Sequence, residues 1–148
     1  MKNEVVAKAE AVIAKKTAGW KAGDWYCAFT VIDENGYPTT STISPLKSDG
    51  IRWLVFGASL SSDRVKRVKE CNRVCVCFNS NDHHISLVGT VEISTDPQAK
   101  RDAWVDELAD YYSGADDPDF AVMRFTTERY NLFFIDDESE DAGVLPKE

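Results

Sequence analysis

Cysteine is scarce and clustered: there are four in 148 residues (Cys27, Cys71, Cys75 and Cys77), and three of them fall between positions 71 and 77. That clustering excludes the spread disulfide framework of a small secreted scaffold, and the thiols are expected to be reduced, as in a cytoplasmic protein. Positive charge is also short, with 17 Lys and Arg against 25 Asp and Glu, a formal net charge of −8. A dedicated nucleic-acid binder neutralises many phosphates with cations, and an anionic membrane surface makes the same demand, so both partner classes are excluded. Long apolar runs are missing. The longest, Trp53 to Ala58, is far too short to span a bilayer, and Met1-Lys2-Asn3-Glu4 does not open a signal peptide. Only two histidines occur, neither with a motif partner, and Ser61 and Ser62 lack a glycine-flanked nucleophile elbow. Any catalysis would therefore draw its reactive atoms from a cofactor. No repeat and no low-complexity linker is present.

What remains is a chain able to build one core. Hydrophobic residues make up 43%, including four Trp, five Tyr and seven Phe, and at this length about two-thirds of the unfolded surface is buried without staples. Apolar residues at three- and four-residue spacing predict a helix over 4–17, with Gly19 as its stop. From Trp25 the period shortens. Trp25 to Ile32, the turn Asp33-Glu34-Asn35-Gly36, and Pro38 to Leu46 predict a hairpin, and after a second turn at Lys47–Gly50 the strand Ile51 to Ala58 completes a meander. A short helix follows from Ser61-Ser62 to Glu70, with Val65 and Val68 inward and Arg64, Lys66, Arg67 and Lys69 outward. Strands are predicted at Val74–Phe78 and His84–Ser94. Asp96-Pro97 caps a helix running to Tyr112 with the stripe Trp104, Leu108 and Tyr111. Two more strands, Phe120–Phe125 and Tyr130–Ile135, precede an acidic tail that is expected to fray.

These elements, about six or seven strands with three helices mostly joined by tight turns, predict an α+β fold with an antiparallel sheet able to close into a small barrel. Residues 1–24 form a helix and linker of the same domain, 25–135 the barrel, and 136–148 the tail. Within it, residues 62–73 stand out: Arg64, Lys66, Arg67, Lys69 and Arg73 against Asp63 and Glu70 make this segment +3 in a chain of −8. Cations in a first helical turn are mildly unfavourable, and a bound phosphate there would reverse that sign. The competing reading is a solvated basic face behind a Ser cap.

The succession Val31-Ile32-Asp33-Glu34-Asn35-Gly36-Tyr37-Pro38, Trp53 to Ser59, and Ser62-Asp63-Arg64-Val65 to Cys71-Asn72-Arg73-Val74 resembles the pyridoxamine phosphate oxidase-like split barrels. The segments His84 to Val91 and Gly114 to Asp119 resemble their general stress protein branch. The resemblance implies an α+β, six-stranded antiparallel split β-barrel with flanking helices, assembled as a homodimer with FMN at the subunit interface. A Ser-Arg-Lys triplet that holds phosphate falls on Ser62, Asp63 and Arg64, where only Arg64 keeps its cation. The usual strand Arg falls on Ser41, with Thr42, Ile43 and Ser44 continuing along the ring edge. An aromatic-x-Thr signature falls on Phe56-Gly57-Ala58, with Ser59 the nearest hydroxyl, and a further polar position falls on His84. A frequent Lys is replaced by Leu46, and Lys47 or Lys66 would have to compensate.

The resemblance implies a flavin-dependent oxidoreductase acting on a small molecule. The alternatives are a flavin- or haem-storing module without turnover, and an interaction protein whose pocket has closed. Other constellations read as structure. Cys75 and Cys77 share one strand face and, with Cys71, His83 and His84, offer zinc-type ligands without zinc-type spacing, so core filling is preferred. Trp20, Trp25, Trp53 and Trp104 are expected in the core or a dimer interface.

Overall fold

The protein is described here by a computed structural model covering residues 3–17 and 25–147. The Gly19 stop and Trp20 lie outside the described residues. Helix α1 is Glu4–Lys16; Asn3 caps it by accepting from the N–H groups of Val5 and Val6, and Ala9 and Ile13 carry it into the core. Strands β1 (Cys27–Ile32) and β2 (Pro38–Ile43) form the predicted hairpin. Its turn is built as its residues dictate: Gly36 takes φ +84°, and the Asp33 carboxylate accepts from the N–H groups of Asn35 and Tyr37.

The next segment departs from a meander. Lys47–Asp49 is a strand, β3, which turns at Gly50 (φ +56°) and pairs with β4, Trp53–Ser59. Ser44, Pro45 and Leu46 are buried between β2 and β3, and proline ends β2 there, so β4 pairs with β3 and a later strand rather than with β2. Helix α2 is Asp63–Glu70, followed by β5 (Arg73–Asn79) and β6 (His83–Ser94).

Helix α3, Pro97–Ala103, starts behind Asp96 with proline in its first turn as expected, but it stops far short of Tyr112. Trp104 and Val105 are extended, and a separate 3-10 turn spans Asp106–Asp110. The break lets Trp104 and Tyr112 both pack on Phe120, with ring centroids at 5.5 and 5.0 Å, whereas Tyr111 of the expected stripe is exposed.

The two last predicted strands are one, β7, Phe120–Phe134, and the tail supplies another, β8, Ser139–Val144. Among the described residues the sheet therefore has eight antiparallel strands, seven in the order β2-β1-β5-β6-β7-β4-β3 with β8 pairing β7 off this path, open rather than closed, two more than expected. Strand β7 organises it. One edge pairs with β6 along nearly its whole length; the other is shared, with Phe120–Thr126 on β4 and Arg129–Phe134 on β8. The inner face, covered by α1 and α2, holds Phe29, Phe56, Phe78 and Phe125, all fully buried, each contributing roughly 1.5–3 kcal/mol. A second cluster of Leu46, Ala103, Leu108, Phe120 and Val122 sits under α3 and the 3-10 turn. No helix among the described residues is long and apolar enough to cross a membrane.

The acidic tail is tied down rather than frayed. At its turn the Asp137 carboxylate accepts from the Ser139 hydroxyl at 2.6 Å and N–H at 3.0 Å and meets Lys8 of α1 at 2.9 Å. Chiefly the Ser139 hydroxyl, then Lys8, hold its pKa down to about 2. Because this lies below the unfolded value of about 3.9, the contribution is complete above that value and is lost as pH falls toward 2. Amide-exchange protection in residues 139–144 should therefore drop between pH 5 and pH 2, and at pH 7 in Asp137→Ala, while protection in β6 is unchanged.

Candidate functional site

The predicted phosphate helix begins where its residues place it. Ser62 is the N-cap: its Oγ accepts from the Val65 N–H at 3.3 Å and donates to the Ser59 carbonyl at 2.7 Å, so this hydroxyl is committed to the helix start. Val65 and Val68 enter the core as expected. Arg67, expected outward, is only 3% exposed. Its guanidinium is ringed by Glu70 at 3.3 Å, Glu34 at 3.7 Å and Asp63 at 3.9 Å. The physical reason is that its aliphatic stem covers core surface while three carboxylates on the rim balance the buried head. Asp63 therefore faces Arg67, which offsets the charge that would otherwise oppose an anion at this helix start.

Arg64 is the opposite case. Its Nη2 donates to the Ser41 hydroxyl at 2.8 Å and to the Thr42 carbonyl at 3.2 Å, and its guanidinium lies 5.6 Å from the Phe29 ring centroid. Nε is buried without a partner, and no carboxylate among the described residues forms an ion pair with this cation. Burial lowers its pKa, opposed by the nearby Cys27 and Tyr112. A half-buried cation held by neutral partners is a site that an anion would complete. Arg64 and Ser41, more than twenty residues apart, were matched to the same phosphate grip from sequence, and here they touch.

The other expected residues fall at varying distance from that contact. Ser41 and Ile43 share the inner face of the sheet with Phe29 and Cys27, because antiparallel partners point to one side. Thr42 presents its backbone. Ser44 is 6% exposed with an orphan Oγ, a second buried hydroxyl awaiting a partner. The Phe56 ring is sealed in the core, edge-on to Phe29 at 5.3 Å, so only its backbone is free to line a site. Ser59 Oγ bonds the Tyr112 hydroxyl at 2.8 Å. His84 is exposed on the outer face and stacks on Phe133 at 5.7 Å; in a single chain it stands across the sheet from Arg64. The two concave surfaces beside α2, about 390 and 460 Å³, are lined by Leu60, Lys69 and their neighbours and include neither Arg64 nor Ser41. Lys66 lines the larger of them. Lys47, the other candidate to compensate, stands exposed on β3, opposite Val55.

Tyr112, which the sequence pattern places at the end of an α-helix and not in the site, is brought to Ser59 by the break after α3. Its phenol is raised in pKa, first by burial, and its charge couples to Arg64. The zinc-type cluster does not assemble: Cys71 caps α2, the His83 Nδ1 is bonded to Asp82 at 2.8 Å, and no three metal-ligating side chains converge among the described residues.

Comparison with known proteins places this geometry. The family model described as pyridoxamine 5'-phosphate oxidase matches residues 13–134. The chain belongs to the pyridoxamine 5'-phosphate oxidase family. Among solved structures, a protein related to general stress protein 26 from Clostridium acetobutylicum is 25% identical with a TM-score of 0.80, over 98% of this chain and 97% of that one. An FMN-binding protein related to pyridoxamine 5'-phosphate oxidase from Nostoc punctiforme is 12% identical, TM-score 0.66, over 99% and 100%. A haem-binding protein from Mycobacterium smegmatis is 17% identical, TM-score 0.70, over 97% of this chain and 60% of that one. No curated protein matches the sequence. The open eight-stranded sheet is thus the split-barrel fold of the pyridoxamine 5'-phosphate oxidase family, as expected.

Proposed function

We propose that the chain binds FMN and acts as a flavin-dependent oxidoreductase on a small molecule, as a cytoplasmic homodimer with the site at the subunit interface. The observation that carries this reading is Arg64: a partly desolvated guanidinium with hydroxyl and carbonyl partners, an orphan Nε and, among the described residues, no carboxylate in an ion pair with it. The residues fit the group. Arg64 and Ser41 would grip the phosphate, the backbone at Thr42 and Ile43 and the orphan Ser44 hydroxyl would meet polar edges of the ring system, and Ser59 with Tyr112 would border the ribityl side. Asp63 does not oppose this, since it faces Arg67. When bound, FMN supplies hydride or electron transfer, and the chain's own groups bind, orient and exclude water.

Two features support a second copy: His84, on the outer face, would join the Arg64 site only from another chain, and β2 is an exposed strand at the sheet edge. The alternative is a module that stores flavin or haem without turnover. It is favoured because, among the described residues, no histidine or carboxylate bonds or ion-pairs with Arg64 to move protons, and by the haem-binding neighbour.

Absorbance and fluorescence titration with FMN, FAD, deazaflavin and haem, combined with sedimentation, tests the reading. The expected result is one FMN per chain, a yellow protein and a dimer at micromolar concentration. A colourless monomer that takes up no FMN at low salt sinks the proposal. Uptake without reduction by reduced nicotinamide selects the storage module instead.

A further inference from the structure

Helix α2 carries a second arginine that takes no part in the Arg64–Ser41 contact. Arg67 lies one turn after Arg64 and reaches the β1–β2 turn. It is 3% exposed, whereas the carboxylates around it are open to solvent: Glu70 at 3.3 Å, Glu34 at 3.7 Å and Asp63 at 3.9 Å, with side-chain exposures of 61, 66 and 81%. Its Nε has no hydrogen-bond partner. Asp63 and Glu70 belong to α2 itself, but Glu34 stands in the turn of the hairpin, so the Arg67–Glu34 pair joins helix to hairpin. That turn is internally fixed: the Asp33 carboxylate accepts from the N–H groups of Asn35 and Tyr37, and the Asp33 N–H bonds the Tyr37 carbonyl at 2.8 Å. Where Glu34 is held, the start of β2 is held with it. Strand β2 needs the constraint, because it ends the sheet, is exposed along most of its length, and pairs among the described residues with β1 alone.

Stability is a poor explanation for a cation buried in such a ring. An apolar side chain of similar volume in place of a buried ion pair is often neutral or stabilising, and the three carboxylates here would stay hydrated if the cation were gone. The arrangement bears instead on the anion site. Arg64 reaches from α2 to the Ser41 hydroxyl on β2, so that contact exists only while helix and hairpin keep their spacing. Asp63, the residue before Arg64, would repel an anion at the helix start unless a cation offset its charge.

We propose that Arg67 is a positioning residue of the anion site. Through Glu34 it fixes the β1–β2 hairpin on α2 so that Ser41 meets Arg64, and through Asp63 it offsets the negative charge beside a bound phosphate. The proposal rests on the reading of Arg64 as a phosphate grip; Arg67 itself touches no ligand. Its two roles differ in the sign of their effects. If Glu34 acted through charge alone, neutralising it would tighten anion binding, whereas the loss of a tie loosens it.

The test uses the full chain and four variants, Arg67→Met, Glu34→Gln, Asp63→Asn and the double variant Arg67→Met with Asp63→Asn. Each is titrated calorimetrically with FMN and, without ligand, followed by amide exchange. Arg67→Met should keep a thermal midpoint close to that of the parent chain but bind FMN about tenfold more weakly. Adding Asp63→Asn should recover part of that loss, whereas Asp63→Asn alone should change affinity by less than about threefold. Glu34→Gln should weaken binding although it removes a negative charge. In the ligand-free chain, exchange over residues 38–43 should rise in Arg67→Met and in Glu34→Gln while β6 is unchanged. Parent-like FMN affinity in Arg67→Met, tighter binding in Glu34→Gln, an Asp63→Asn effect equal with and without Arg67, or unchanged exchange in β2 would overturn the assignment. Should Arg67→Met fail to fold, the Glu34→Gln measurements decide by themselves. A parent chain that takes up no FMN sinks the flavin reading separately, and the exchange measurement, which needs no ligand, then decides whether Arg67 fixes the hairpin.

Discussion

Arg64→Ala should weaken FMN binding by about ten- to a hundredfold, the equivalent of the roughly 1.5–3 kcal/mol carried by one charge-assisted hydrogen bond. The effect has to be large because the chain offers few substitutes. Asp63 stands where the family triplet has a cation, Ser41 where the strand has another, and Arg67 is spent on Glu34, Asp63 and Glu70. Loss of Arg64 leaves hydroxyls and helix N–H groups to hold a dianion. Arg64→Lys should recover only part of the affinity, since an ammonium lacks the planar fork with which the guanidinium can bond Ser41 and Thr42 through one nitrogen and meet a phosphate with its other N–H groups. Arg64 lies at a helix start and forms no ion pair among the described residues, so the far-ultraviolet spectrum and thermal midpoint should be close to those of the parent chain. Isothermal titration with FMN at two salt concentrations measures this directly: the parent affinity should fall with salt and that of Arg64→Ala should fall less. Equal affinity in the two proteins would remove Arg64 from the phosphate grip.

Which of these features were legible beforehand depended on whether local chemistry decided them. The Asp33–Gly36 turn, the Ser62 and Asp96 caps and the inward Val65 and Val68 were readable because side chain and backbone satisfy each other within a few residues. Arg67 was not, because its carboxylates include Glu34 from a distant turn. Tyr112 was not, because α3 breaks at Trp104–Val105 for the sake of packing on Phe120, a contact no helical period announces. Strand β7 was split in two for a sharper reason. Met123 and Phe125 face the inner core at odd positions, whereas Leu132 and Phe134 do so at even ones. Period-two alternation fails between them, which reads as a loop; the cause is a bulge, an extra residue at Glu128 where the register with β6 slips between Val88 and Gly89. The acidic tail misled in the other direction, since charge density suggested solvation while Lys8, Ser139 and Tyr130 supply partners for Asp136, Asp137 and Asp141. Of the site, the Arg64–Ser41 pair was visible only through resemblance; composition and spacing alone left Arg64 on an ordinary basic face.

Gly89→Ala should produce the largest loss of stability of any single methyl addition in the sheet, on the order of 4 kcal/mol, with the fold itself at risk. A Cβ at Gly89 would stand 1.9 Å from the Thr126 carbonyl oxygen and 3.0 Å from the Thr127 Cα, both backbone atoms of β7. Backbone cannot swing aside as a flexible side chain does. Relief requires β6 and β7 to separate at the bulge, where Gly89 opposes Thr127 and the Thr127 N–H bonds the Arg52 carbonyl at 2.9 Å. Because β7 joins β6, β4 and β8, that separation loosens three strand pairs together. Two other glycines calibrate the result. Gly36 has open space around it but a φ of +84°, so Gly36→Ala should cost only about 1 kcal/mol for the left-handed backbone. Gly114 has neither neighbour within 4 Å nor positive φ, and Gly114→Ala should be close to neutral. Urea denaturation of the three variants ranks them, and a Gly89→Ala midpoint within error of Gly114→Ala would mean that the close approach of β6 to β7 is not a constraint on the native sheet.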